Sequence, residues 1–147
     1  MSIEKILVVD DDDLSRGYLS EALQRNGYSV DNASDGQEAV GMTDKQNYDM
    51  IFLDMRMPRM GGMKVLERVK KTSKETTVVI MTAYGSIESA VEAMQKGAYD
   101  YIIKPFSVDN IELLLKRVQE RQKLIDENKY WRSKLDSNVE NEFRIDK

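Results

Sequence analysis

Five short runs of strand character punctuate the chain: Ile6–Val9, Ser29–Ala33, Met50–Leu53, Val78–Met81 and Tyr101–Ile103. Runs this short that are mostly apolar and β-branched read as buried strands rather than helices. Between them lie amphipathic stretches, roughly Leu14–Asn26, Gly36–Gln46, Met63–Lys71 and Ile87–Lys96, with another starting near Val108. Boundary chemistry agrees. Gly27 and Gly97 stand where a glycine just past a helix belongs. Ser34-Asp35-Gly36-Gln37 fits a capping box, and Ser107 or Asp109 can cap the last helix. Strands alternating with helices of this length imply βαβ units and a parallel sheet. Right-handed crossovers then give an α/β fold of the doubly wound kind, with helices on both faces of five strands.

Where the runs end is as telling as where they lie. Ile6–Val9 runs into four consecutive aspartates, Asp10 to Asp13. Met50–Leu53 runs into Asp54, and Tyr101–Ile103 into Lys104. In an open parallel sheet the carboxyl ends of the strands share one edge, where ligands bind. Acids and a lysine therefore converge there, and carboxylates held that close need a compensating cation. Asp10, Asp11 and Asp54 can hold one Mg²⁺, which takes few protein ligands and can clamp phosphoryl oxygens. Asp12 and Asp13 better suit the cap and first turn of the following helix. Asp54 is the candidate nucleophile, since a carboxylate attacking phosphorus yields an acyl phosphate. Its other reading is a turn former before Met55-Arg56-Met57-Pro58 and Gly61-Gly62, and a loop position suits both. Thr82 closes the fourth run, where its hydroxyl can donate to a phosphoryl oxygen. Lys104 precedes Pro105, a peptide that can be cis in a tight turn.

Composition narrows the chemistry. The chain has no cysteine and no histidine, so thiolate sites, zinc–cysteine sites and a phosphohistidine of its own are excluded. Any metal is held by oxygen, which favours Mg²⁺, Ca²⁺ or Mn²⁺ over Zn²⁺. A net charge of −4, from 22 basic and 26 acidic residues, argues against a nucleic-acid surface. No apolar stretch is long enough to span a membrane and no signal peptide is expected. Both favour a cytoplasmic setting.

Composition shifts near Gln119. From there to Lys147 only eight of 29 residues are apolar, and charges balance seven to seven. Leu124, Asn128, Trp131 and Leu135 fall at heptad spacing, with Asn at one core position. A solvated helix fraying after Leu135 explains the segment equally well. The expected organisation is one domain over 3–118, a helical, coiled-coil-capable linker over 119–136, and a flexible tail over 137–147.

Four segments, taken in order, carry a family resemblance: Val8-Val9-Asp10-Asp11, Leu53-Asp54-Met55-Arg56-Met57-Pro58, Met81-Thr82-Ala83 and Lys104-Pro105-Phe106. Over about residues 3–118 the chain resembles the receiver domain of two-component response regulators. Tyr84-Gly85-Ser86, Ala98–Tyr101 and the charged helix after them are similar to the nitrogen-regulator (NtrC-like) type, which precedes an AAA+ ATPase. The resemblance implies a flavodoxin-like sheet of order 2-1-3-4-5 with an extended C-terminal helix. It implies phosphorylation of Asp54 by a sensor histidine kinase, with Mg²⁺ (Mn²⁺ as the alternative) on Asp11, Asp54 and the Arg56 carbonyl, and on Asp10 through water. Thr82 and Lys104 would contact the phosphoryl group. Thr82 and Tyr101 would switch the surface of the fourth helix, fifth strand and fifth helix. Arg56 and Tyr84 would flank the attacking water, and their bulk implies slow self-dephosphorylation. The implied partners are the kinase, a second copy in a homodimer, and output ATPase and DNA-binding parts of a longer parent chain. No direct nucleic-acid contact and no membrane are expected.

The chain would then be no enzyme beyond its own phosphoryl transfer and dephosphorylation. A stand-alone receiver, or one serving only as a binding module, is the nearest alternative. The intact set Asp10, Asp11, Asp54, Thr82 and Lys104 weighs against the binding-module reading. A haloacid-dehalogenase-like phosphatase is more remote, because Arg56 stands where its second Asp belongs and no cap domain fits.

Overall fold

A computed structural model describes residues 3–83 and 87–145, the side chains of Ile87 and of residues 137–145 excepted. The elements run β1 (Lys5–Val9), α1 (Asp13–Arg25), β2 (Ser29–Ala33), α2 (Gly36–Lys45), β3 (Met50–Asp54), α3 (Gly62–Thr72), β4 (Thr77–Ala83), α4 (Ile87–Gln95), β5 (Asp100–Lys104) and α5 (Val108–Ile145). The sheet is parallel throughout, in the order β2-β1-β3-β4-β5. This is the doubly wound arrangement expected from the alternating runs.

Burial follows position in the sheet. Central β3 is buried at all five residues, whereas edge strand β2 is exposed or half-covered at every residue but Ala33. An apolar side chain buried on both faces of a central strand contributes about 1.5–3 kcal/mol each. Leu7, Val9, Ile51, Leu53, Val78 and Ile80 form one core layer with Val65, Leu66 and Val69 of α3. α3 contributes because Val65, Leu66 and Val69 fall on one helical face.

Local chemistry sets the ends. Gly27 and Gly97 adopt φ of +91° and +112°, the left-handed region where a Cβ is costly. Asp35, rather than Ser34, caps α2: its carboxylate accepts from the Glu38 N–H at 2.8 Å. The box is therefore shifted one residue, with Glu38 in the position Gln37 was expected to fill. Ser107 caps α5 by accepting from the Asn110 N–H at 3.2 Å. The Lys104–Pro105 peptide is cis.

The chain forms two compact units, one spanning Ile3–Glu112 and one carrying the helical stretch from Leu113 onward. α5 is helical through Ile145, past residue 136 where the tail was expected to begin. Along it Ile111, Leu114, Leu115 and Val118 are buried, and none of residues 119–136 is.

Candidate functional site

Strand pairing assembles the site. Val9 pairs with Leu53, Asp54 with Met81, and Ala83 with Lys104. Because every strand points the same way, Asp10, Asp54, Thr82 and Lys104 arrive at one edge of the sheet. Asp10 is fully buried, Asp54 and Thr82 nearly so, and Asp11 is exposed at the rim.

Asp10, Asp11 and Asp54 each offer a carboxylate oxygen, all within 4.8 Å of one another. Lys104 Nζ lies 2.6 Å from Asp10 Oδ2 and 3.6 Å from Asp54 Oδ2. Backbone amides supply the remaining fixed donors. Asp12 N–H donates to Asp10 Oδ1 at 3.0 Å, and Arg56 N–H donates to Asp54 Oδ1 at 3.2 Å.

The electrostatics follow from this crowding. Burial pushes the Asp54 carboxyl up from 3.8 to about 7. The Arg56 amide and Lys104 pull it down, while neighbouring Asp10 adds to the rise. Partial burial alone would lower the Lys104 ammonium. Its hydrogen bond to Asp10, with the charges of Asp54 and Asp10, outweighs that and holds it above its usual value. The pocket thus carries more negative charge than one lysine can offset. An all-oxygen donor set of this span fits a hard divalent cation such as Mg²⁺, completed by water.

Asp12 and Asp13 stay out of the pocket. Asp12 is the N-cap of α1 and accepts from the Ser15 N–H at 3.0 Å, and Asp13 pairs with Arg16. Arg56 is exposed at the mouth. Thr82 Oγ1 makes one long contact, 3.4 Å, to the Ala83 carbonyl. Tyr101 is half-buried against the core layer shared with α3. Tyr84 lies outside the described residues.

Three features escaped the sequence reading. Arg16 Nη1 donates to the Asp10 carbonyl at 2.7 Å and ties the acidic turn to α1. An arginine three residues after an aspartate on a new helix was the available signal. Gly62 approaches Asp54 closely: a Cβ there would meet the Asp54 carbonyl at 2.5 Å and Met55 Cα at 2.9 Å. In sequence it looked like loop punctuation. A cavity of about 520 Å³ opens beside Lys104, lined by Asp12, Leu14, Ser15, Tyr18, Pro105 and Phe106. Leu14 is 84% exposed, and the Tyr18 and Phe106 rings sit 6.3 Å apart. Leu14 and Tyr18, one turn apart on α1, were the legible trace of it.

Comparison with known proteins gives a consistent picture. Residues 6–116 match the response regulator receiver domain. The chain is 38% identical over 123 residues to the regulatory protein AtoC of Escherichia coli, covering 84% of this chain and 27% of that protein. It is 37% identical over 117 residues to sporulation initiation phosphotransferase F of Bacillus subtilis, covering 80% of this chain and 94% of that one. The crystal structure of NtrX from Brucella abortus superimposes with a TM-score of 0.81 at 35% identity, over 86% of this chain and 29% of that one. The chain thus spans about a quarter of AtoC's length. These neighbours agree with the nitrogen-regulator type expected from the sequence.

Proposed function

Because the chain belongs to the response regulator receiver domain family, we propose that Asp54 is its phosphoacceptor and that a sensor histidine kinase is the donor. One observation carries the assignment. The Asp54 carboxylate sits among Asp10, Asp11 and Lys104 at the carboxyl edge of the sheet. The chain has no histidine, so the phosphohistidine comes from another protein. An Asp54 oxygen attacks phosphorus, the P–N bond breaks, and the imidazole leaves. Transfer of this kind depends on positioning and charge neutralisation more than on covalent chemistry.

Asp10, Asp11, Asp54 and the Arg56 carbonyl would hold Mg²⁺, with Mn²⁺ as an alternative. The ion supplies charge neutralisation at the transferring phosphoryl oxygens. Lys104 contacts the phosphoryl group, and so does the Thr82 hydroxyl once it leaves its long contact with Ala83. Thr82 and Tyr101 then bias the surface of α4, β5 and the start of α5 between two states. Arg56 and Tyr84 slow the attack of water. The apolar cavity beside Lys104 supports docking of the donor, since it offers Leu14, Tyr18 and Phe106 together with that lysine.

The chain acts as a switch rather than as an enzyme with a separate substrate. Its setting is the cytoplasm. Its partners are the kinase, a second copy, and AAA+ ATPase and DNA-binding domains of a longer parent protein. Incubation with a small phosphodonor and Mg²⁺, followed by intact-mass measurement, tests the assignment. A stable gain of one phosphoryl group, absent in Asp54→Asn, is expected. Continuous hydrolysis of the donor would indicate a phosphatase, and no reaction would indicate a binding module.

A further inference from the structure

Sulfur in this chain is confined to thioethers. There is no cysteine and there are nine methionines, four of which, Met55, Met57, Met60 and Met63, fall within the nine residues after Asp54. All four are half-buried and pack against the core layer that β3 shares with α3. Two of them lie flush against glycines. A Cβ placed on Gly62 would sit 3.1 Å from Met55 Sδ, and one placed on Gly36 would sit 2.9 Å from Met60 Cβ. The loop between β3 and α3 is therefore roofed by oxidisable side chains, in the segment that follows the reacting carboxylate.

We propose that Met55 is a modification site for peroxides, and that its conversion to the sulfoxide turns down phosphoryl acceptance by Asp54. The sulfur lone pair bonds one peroxide oxygen and the O–O bond breaks. The other oxygen leaves as hydroxide and takes the proton of the first, so water is released. Sulfur is oxidised by two electrons and the peroxide is reduced by two. The product is polar where the thioether was apolar, and sulfoxide reductases can reverse it.

The consequence follows from where Met55 is held. Its N–H donates to the Met81 carbonyl at 3.2 Å, and its carbonyl accepts from the Gly62 N–H at 3.3 Å. It sits between Asp54 and Arg56, whose N–H donates to Asp54 Oδ1 at 3.2 Å. A sulfoxide oxygen needs room and a hydrogen-bond donor. Gly62 leaves no room on its side, and the core layer offers no donor. The oxygen gains water by swinging the side chain outward, which vacates both contacts. Either course shifts the Met55 backbone, and with it the amide that fixes the Asp54 carboxylate. The effect on signalling rests on Asp54 being the phosphoacceptor, whereas the oxidation itself does not.

The full chain treated with graded hydrogen peroxide, then catalase, tests this by peptide mapping. Met55 should gain oxygen several-fold faster than Met50 and Met81, which are fully buried. Partly oxidised wild type is then incubated with a small phosphodonor and Mg²⁺, and phosphorylated and unphosphorylated fractions are separated. Met55 sulfoxide should be enriched several-fold in the unphosphorylated fraction, while sulfoxide at Met94, on α4, divides evenly. Met55→Leu, close to Met in volume, should keep its uptake after the same treatment. Trypsin cleavage after Arg56 and Arg59, both exposed in this loop, should quicken in oxidised wild type and not in oxidised Met55→Leu. Equal Met55 sulfoxide in the two fractions, or oxidation at Met55 no faster than at Met50, would overturn the proposal, and both readings use wild type alone. If untreated protein takes up no phosphoryl group, the phosphoacceptor assignment fails instead, and the peptide map and trypsin rates still decide whether Met55 is a peroxide-sensitive hinge of the loop.

Discussion

Replacing Asp54 with Asn removes one of three crowded carboxylates, and its effect on stability has a sign that depends on pH. The folded carboxyl titrates at about 7, against 3.8 for the ordinary group, chiefly because it is buried. Between those limits the folded protein keeps a proton that the unfolded chain has released. Raising the pH through this window therefore favours unfolding, and the loss is complete above about pH 7. Each pKa unit corresponds to about 1.4 kcal/mol, so the full window amounts to about 4 kcal/mol, an upper figure because water entry relaxes the pocket. For a domain of this size that is a fall in Tm on the order of 10 °C. Thermal unfolding in EDTA from pH 4 to 8.5 should show the wild type losing more stability than Asp54→Asn as pH rises. The variant should be the more stable protein at pH 8 and close to wild type near pH 4. Adding Mg²⁺ at pH 8 should raise the wild-type Tm and leave Asp54→Asn little changed, because a ligand of the folded state stabilises by mass action. Parallel pH curves for the two proteins in EDTA would refute the reasoning.

Gly62→Ala should destabilise by about 2 kcal/mol, since its Cβ meets backbone atoms of Asp54 and Met55 that cannot swing aside. Phosphoryl uptake should slow with it, which urea unfolding and intact-mass kinetics measure together. Asp12→Ala should cost about 1 kcal/mol, through loss of the α1 cap, and leave uptake at Asp54 unchanged. Arg56→Asn should speed decay of the acyl phosphate by opening the path for water. Tyr84→Glu carries the same expectation on grounds of sequence, and a phosphate-release assay reads both. Unchanged decay in both variants would remove bulk as the cause of slow loss.

The fold was legible because three of the strands announced themselves twice, by an apolar run and by what stopped it. Val9 stops at Asp10, Leu53 at Asp54 and Ile103 at Lys104, and a parallel sheet gathers such stops without further information. Caps were legible to within one residue: Asp35 displaces Ser34 because both precede α2 and either can accept an amide proton. Contacts set by close approach were not legible. A glycine needed for space at Gly62 reads the same as one needed for a turn. The Tyr18–Phe106 contact joins α1 to the end of β5, 88 positions on, with no local periodicity to betray it. The extended C-terminal helix was expected, and only its continuation past residue 136 was not. Beyond Gln119 the apolar pattern fades, yet no glycine or proline follows Pro105 and good helix formers dominate. Periodicity reports a buried face, whereas persistence of a helix needs only the absence of a breaker.

Lys104 shows how the pocket can be assembled before any phosphoryl group arrives. Its ammonium lies closer to Asp10 than to Asp54, by 2.6 Å against 3.6 Å. Asp10 is fully buried while Asp54 keeps a slight opening to solvent, so Asp10 suffers more from an unpartnered charge. The lysine goes where the desolvation cost is greater, which leaves Asp54, raised chiefly by its own burial and further by Asp10, as the carboxyl that holds its proton. A group that must be ionised to act as a nucleophile is therefore restrained until positive charge enters the pocket. Once it does, Asp10 no longer needs the ammonium, and Lys104 is free to swing the short distance toward Asp54 and the oxygens it accepts. On this reasoning Lys104→Gln, which leaves more of the pocket's negative charge uncompensated, should lower the half-saturating Mg²⁺ for phosphoryl uptake instead of merely lowering its rate. Titration of uptake against Mg²⁺ at fixed phosphodonor separates the two, and an unchanged half-saturating concentration would place Lys104 outside the charge balance altogether.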